Sequence, residues 1–203
     1  MSSHEGNWGD LLSGQNAARS AALSGGVALH AINIYIATTV LPSVVQEIGG
    51  LNLYAWNTTL FVVASILGSA LTSRTLNRAG ARGAYMIAIT LFLAGSLLCA
   101  LAPSMLVMLL GRTVQGLGGG FLFALGYAMI YEVFEKSLWP RAFALVSGMW
   151  CVATLVGPAI GCIFADINAW RMAFGFLVPV SLLYAWLICR ALPADAQARG
   201  PAA

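Results

Sequence analysis

Charged side chains are scarce in this sequence: they make up 8% of its 203 residues, while 60% are hydrophobic. Soluble domains carry about a quarter charged residues, so water is excluded as the solvent for most of the chain. The mean hydropathy of +0.84 says the same. A net charge of +3 spread over dispersed basic residues leaves no footprint for nucleic acid. Acidic residues are scarcer still. Glu5, Asp10, Glu47, Glu132, Glu135, Asp166 and Asp195 all fall in tails or near the ends of apolar runs. A mid-membrane carboxylate relay of protons therefore cannot be built from this chain alone.

Histidine is limited to His4, in the N-terminal tail, and His30, in the first apolar run. An intramembrane serine hydrolase needs a serine paired with a histidine at membrane depth. Neither metal-ligand spacing nor a phosphate-binding loop occurs, so no enzyme, metal or cofactor is expected. The four cysteines (Cys99, Cys151, Cys162 and Cys189) form no C-x-x-C pair and have no histidine nearby. They read as small apolar packing residues. No cleaved signal is expected either. Residues 1–20 are polar, carry Glu5, Asp10 and Arg19, and precede an apolar run too long for a signal peptide. They are expected to form a short disordered tail.

What the chain has is long apolar runs. A spanning helix needs about 20 residues to cross a core of roughly 30 Å. Six segments qualify, at about 22–44, 54–73, 83–102, 105–131, 142–164 and 171–190. Turn chemistry separates them. Gly49 and Gly50 close the first, Ser104 caps the fourth, Ser137 and Pro140 open the fifth, and Asp166 or Asn168 caps the sixth. Orientation follows from the basic residues. With the N-terminus cytoplasmic, the inside segments hold Arg19, Arg74, Arg78, Arg82, Lys136, Arg141, Arg190 and Arg199. The outside holds Arg171 alone, and Arg112 lies within a helix. Both termini are then cytoplasmic, and residues 193–203 form a Pro/Ala/Gly-rich tail.

Polar groups inside the spans are few and expensive. Arg112 lies eight residues into the fourth span, roughly 12 Å below the outer surface, with Gln115 at i+3 on the same face. Asn33 lies about eleven residues into the first span, roughly 16 Å from the other side, with His30 one turn away. That depth is too great for Arg112 to snorkel easily, so a water-filled polar cavity is expected around it. Asn33 reads either as part of that cavity or as an interhelical hydrogen bond. His30 reads as a proton sensor or as a structural histidine. Small residues mark close packing. Ala153, Gly157, Gly161 and Ala165 repeat every four positions in the fifth span, with Pro158 expected to kink it. Gly116, Gly118, Gly119 and Gly120 leave much of the fourth span bare.

These residues carry a family resemblance. The first span ends in Thr38-Thr39-Val40-Leu41-Pro42, and the loop after the second reads Ser73-x-x-x-Asn77-Arg78-x-Gly80-Ala81-Arg82. The fourth holds Arg112-x-x-Gln115-Gly116-x-Gly118-Gly119. The fifth holds Gly148 and then Gly157-Pro158-x-x-Gly161, and Trp170-Arg171-x-x-Phe174 opens the sixth. In this order and spacing, over about residues 20–192, the chain resembles the N-terminal six-helix half of the major facilitator superfamily, in its drug/proton antiporter branch.

The resemblance implies an all-α membrane protein of two inverted three-helix repeats, with helices one and four lining a substrate cavity. It implies a substrate or proton site at Arg112, Gln115, Asn33 and His30, flanked by residues such as Tyr127, Met149 and Trp150. Asn77, Arg78, Gly80 and Arg82 would belong to a cytoplasmic gate, and Gly148, Gly157, Pro158 and Gly161 to a bendable antiporter interface. The implied partners are the bilayer of the plasma membrane, a small amphipathic substrate, protons, and a missing C-terminal half or a second copy. Three features depart from the pattern. Ser73 and Asn77 stand where the loop motif has glycine and aspartate, and Asn33 stands where the first helix often has aspartate. The chain also ends after six spans, where the family has twelve or fourteen. Two expectations follow: half of a proton-coupled exporter, or a truncated membrane module that transports nothing without a second half.

Overall fold

In a computed structural model of the chain, residues 7–192 are described, and the described residues contain helices and short turns only. The long helices are α2 (Gly14–Ile48), α3 (Tyr54–Ala100), α4 (Met105–Ala128), α6 (Trp139–Asp166) and α7 (Trp170–Ala191). Two four-residue helices, α1 (Trp8–Leu11) and α5 (Ile130–Val133), join them. The five long helices are each long and apolar enough to cross a membrane. One of them, α3, contains two of the expected spans. Its 47 residues would run roughly 70 Å if straight, far more than one bilayer core. Gly80 breaks it, with φ 68° and ψ 175°, a conformation that a Cβ forbids. The result is two arms, residues 54–79 and 81–100, and six spanning rods in all.

In chain order the rods fall into two triplets, which pack mainly against each other. The first is α2 with the two arms of α3, and the second is α4, α6 and α7. Each triplet's leading helix packs against the middle rod of the other: α4 against the first arm of α3, and α2 against α6. The second arm of α3 packs on α7, and the two leading helices cross each other at the centre. This is the helix arrangement that the sequence resemblance leads one to expect.

Local expectations fared unevenly. Gly49 and Gly50 do end the first helix, both at positive φ (71° and 85°), and Pro140 sits in the first turn of α6. Ser104 occupies the N-cap of α4 with extended backbone but makes no side-chain cap bond. The sixth helix is capped by neither Asp166 nor Asn168, since its N-cap is Ala169. Backbone bonds from Asn168 N to the Ala165 carbonyl (3.0 Å) and from Ala169 N to the Phe164 carbonyl (2.8 Å) already close the turn. The polar N-terminal stretch is not a loose tail over residues 7–20. Asn7 and Asp10 form a capping box on α1, Leu11 is fully buried, and Ser20 Oγ donates to the Leu11 carbonyl at 3.0 Å. The first helix accordingly starts at Gly14 instead of about residue 22. Residues 1–6 and the tail at 193–203 lie outside the described residues.

Candidate functional site

Helix α4 places Arg112 and Gln115 on one face, and the two side chains join. Arg112 Nη1 donates to Gln115 Oε1 at 2.6 Å and reaches Asn33 Oδ1 of α2 at a long 3.5 Å. Gln115 Nε2 donates to Ser96 Oγ at 2.8 Å, and Ser96 Oγ donates to the Phe92 carbonyl at 2.8 Å. A polar chain therefore runs from the guanidinium into the second arm of α3. On another side the guanidinium carbon lies 4.0 Å from the centre of the Phe61 ring, on the first arm. Among the described residues the one ion pair is Arg171 with Glu47, at the end of the bundle. The positive charge of Arg112 is thus held by neutral acceptors and a ring face, without a carboxylate.

The expected water-filled cleft is not what surrounds Arg112. Its side chain is 1% exposed, and Gln115 and Asn33 are fully buried. The bare face of α4 explains the closure. A Cβ on Gly116 would strike the Phe61 carbonyl and one on Gly120 the Ser65 carbonyl, both on the first arm of α3. A Cβ on Gly118 would strike the Phe92 backbone on the second arm, and one on Gly119 would lie 2.6 Å from His30 Nδ1 on α2. Three rods close around α4 because its glycines let them.

His30 joins the cluster through its ring and makes no hydrogen bond at Nδ1. It stacks on Phe61 at 5.5 Å and 22°, and approaches Phe123 at 5.7 Å and Trp150 at 6.3 Å. Asn33 Nδ2 and Arg112 Nε are likewise buried without a partner. Such groups carry unspent hydrogen-bonding capacity. From Phe123 an aromatic wall continues along α4 and α6 through Tyr127 (5.1 Å), Phe143 (6.1 Å), Tyr131 (5.5 Å) and Trp139 (4.7 Å). Tyr127, Met149 and Trp150, singled out from the sequence, are half-buried along this wall. Ser96, Phe61 and Phe123 were not singled out. Each looks like ordinary helix filling in the sequence, and no local signal marks its contact with another helix.

The remaining motif residues divide. Asn77 and Arg78 are exposed and form no side-chain hydrogen bond among the described residues, Gly80 makes the break in α3, and Arg82 is half-buried. Gly157 and Gly161 meet α2, Gly161 at the first-helix motif: their Cβ atoms would lie 2.5 Å from Tyr35 Cβ and 2.7 Å from Thr39 Cβ. Pro158 sits within α6 between them. Gly148 faces open space, with nothing within 4 Å of its Cβ position, so it takes no part in that contact. At the far end, Trp170 Nε1 donates to Glu47 Oε2 at 2.6 Å, and Arg171 binds both Glu47 and the Ala102 carbonyl, clasping α2, α3 and α7 together.

Residues 23–203 match the Major Facilitator Superfamily. The chain belongs to that superfamily. Within it, the chain is 46% identical over 198 residues to a Mycobacterium tuberculosis protein named as a probable multidrug-efflux transporter; the match covers 98% of this chain and 42% of that one. It is 26% identical over 165 residues to multidrug resistance protein 3 of Bacillus subtilis, covering 81% of this chain and 32% of that one. Among solved structures, a D-xylose-proton symporter superposes with a TM-score of 0.78 at 18% identity, over 89% of this chain and 49% of that one. The inward-open xylose transporter of E. coli gives 0.74 at 17%, over 86% and 48%. This superfamily member therefore spans less than half the length of these relatives. It is an integral membrane protein corresponding to their N-terminal half.

Proposed function

We propose that this chain is one half of a secondary active exporter of small amphipathic organic molecules, coupled to protons by antiport and seated in the plasma membrane with both termini cytoplasmic. The observation that carries this reading is the Arg112 cluster. A buried guanidinium with no carboxylate partner among the described residues, its own Nε unpartnered and two more unpartnered nitrogens beside it, adjoins an aromatic wall. An amphipathic substrate offers what each part lacks: an acceptor for the polar floor and a flat apolar face for the rings. The multidrug-efflux names of the relatives support the substrate class.

The site is closed in this structure, so alternating access requires the cluster to open against a second bundle. The carboxylate that carries protons has to come from that second bundle, since His30 is the one titratable base at this depth.

Proteoliposomes loaded with a fluorescent amphipathic dye under an imposed pH gradient test this reading. The 203-residue chain alone is expected to move no dye, whereas the chain paired with a second six-helix half exports it until an uncoupler collapses the gradient. Arg112→Ala should abolish export while leaving insertion intact, because insertion depends on apolar length. Export by the chain alone would refute the need for a second half. Unchanged export by Arg112→Ala would remove the site assignment.

A further inference from the structure

Where α2 begins and α7 ends, the bundle holds a second polar site, remote from Arg112. A pocket of about 330 Å³ is lined by Gln15 and Arg19 of α2, Arg82 of the second arm of α3, and Cys189 and Arg190 of α7. Three helices far apart in sequence thus deliver one arginine each to the same place. Among the described residues no carboxylate lines the pocket and none of the three arginines is in an ion pair. Like charges gathered in one concavity repel one another, and an anion between them reverses the sign of that interaction.

The depth of the pocket is informative as well. Each arginine stands at the edge of an apolar run: Arg19 just before the first, Arg82 just before the third and Arg190 at the end of the sixth. That is the level at which lipid headgroups meet the hydrocarbon. Arg19 and Arg82 are half-buried, so the helices hold them in position. Arg190 lies with its guanidinium carbon 4.0 Å above the Trp186 ring. Trp186 is in turn a wall of an apolar groove of about 580 Å³ between α2, α6 and α7, lined by residues such as Leu29, Val156 and Val180. Apart from the Trp186 indole, the one polar side chain in its lining is Tyr184, whose hydroxyl is already donated to the Ala22 carbonyl at 2.5 Å. Arg190 therefore stands between a basic pocket and a groove suited to hydrocarbon.

We propose that Arg19, Arg82 and Arg190 bind the phosphate of an anionic phospholipid headgroup, with an acyl chain lying in the groove beyond Trp186. Guanidinium forks match phosphate oxygens in pairs, and basic pockets between spanning helices suit such headgroups. The inference does not depend on the transport reading.

Native mass spectrometry and thermal unfolding of the purified 203-residue chain, titrated with phosphatidylglycerol, phosphatidylcholine or inorganic phosphate, test it. Phosphatidylglycerol is expected to give a persistent one-to-one adduct and a raised unfolding temperature, at affinity about tenfold above phosphatidylcholine. Arg19→Gln, Arg82→Gln and Arg190→Gln should each weaken it about fivefold, and the triple variant about a hundredfold. Arg74→Gln, basic but outside the pocket, should leave it unchanged.

Equal affinity for the two lipids would overturn the proposal, as would undiminished binding by the triple variant. An equal loss in Arg74→Gln would mean diffuse attraction, and inorganic phosphate binding as tightly as the lipid would mean a free-anion site. Either result rejects a lipid site. If the triple variant does not fold, the headgroup comparison on the unsubstituted chain decides.

Discussion

The two triplets build the same contact twice, and the two versions differ in kind. Where α4 meets the first arm of α3, Gly116 and Gly120 lie against backbone carbonyls. Ser65 Oγ and Ser69 Oγ donate across the contact to the carbonyls of those same glycines, each at 3.0 Å. Where α2 meets α6, Gly157 and Gly161 have the same four-residue spacing, but their nearest neighbours are the side chains of Tyr35 and Thr39, with the Ile32 carbonyl next to Gly157. Thr39 Oγ1 donates within its own helix, to the Tyr35 carbonyl at 2.8 Å. No side-chain hydrogen bond crosses α2 and α6 among the described residues. One contact is pinned backbone to backbone. The other has no such bond, and Pro158 removes a helical bond beside it. The pinned version lies on the side of the Arg112 cluster, so the two contacts share a glycine spacing while the one beside the site is the one tied by hydrogen bonds.

The sharpest way to break this comparison is Gly120→Ala. Its Cβ would meet the Ser65 backbone, which cannot rotate away, so a loss of about 3 kcal/mol in stability is expected, read by thermal or denaturant unfolding in detergent. Gly161→Ala meets a side-chain carbon at 2.7 Å, and α6 can shift outward. A loss of about 1–2 kcal/mol follows, and a loss equal to that of Gly120→Ala would erase the distinction. Removing both hydroxyls, Ser65→Ala with Ser69→Ala, should cost about 1 kcal/mol, since interhelical hydrogen bonds in membranes are individually weak. The smallest effect belongs to Gly148→Ala. Nothing lies within 4 Å of its Cβ, so stability should stay within about 0.5 kcal/mol of the parent. A large loss there would mean that Gly148 belongs to the packing contact after all.

Much of the fold was legible in the residues, and the reason is the bilayer. Apolar length and the placement of arginines answer to the solvent on each side, not to the neighbouring helix, so the six spans and their breaks could be read one at a time. Gly80 shows the limit. A break between two runs was visible, but not that a single glycine at φ 68° would make it. The tail failed for a related reason. Residues 7–20 look polar, yet their fate depended on a buried contact between Leu11 and the bundle. At the site, the Arg112–Gln115 pair could be read because i+3 neighbours share a face. The Ser96 and Phe61 contacts could not, because they join helices whose relative rotation is a property of the whole pack.

Local chemistry, then, settled what each rod is: its length and the polar groups it carries into the hydrocarbon. Those properties depend on transfer from water to lipid, which acts on every residue separately. Which polar groups meet, whether Arg112 stands open or enclosed, and which of two equally spaced glycine pairs is locked were set by helix-on-helix contact. Such contacts act over a few ångströms between residues distant in the chain, and no periodicity within one helix encodes them.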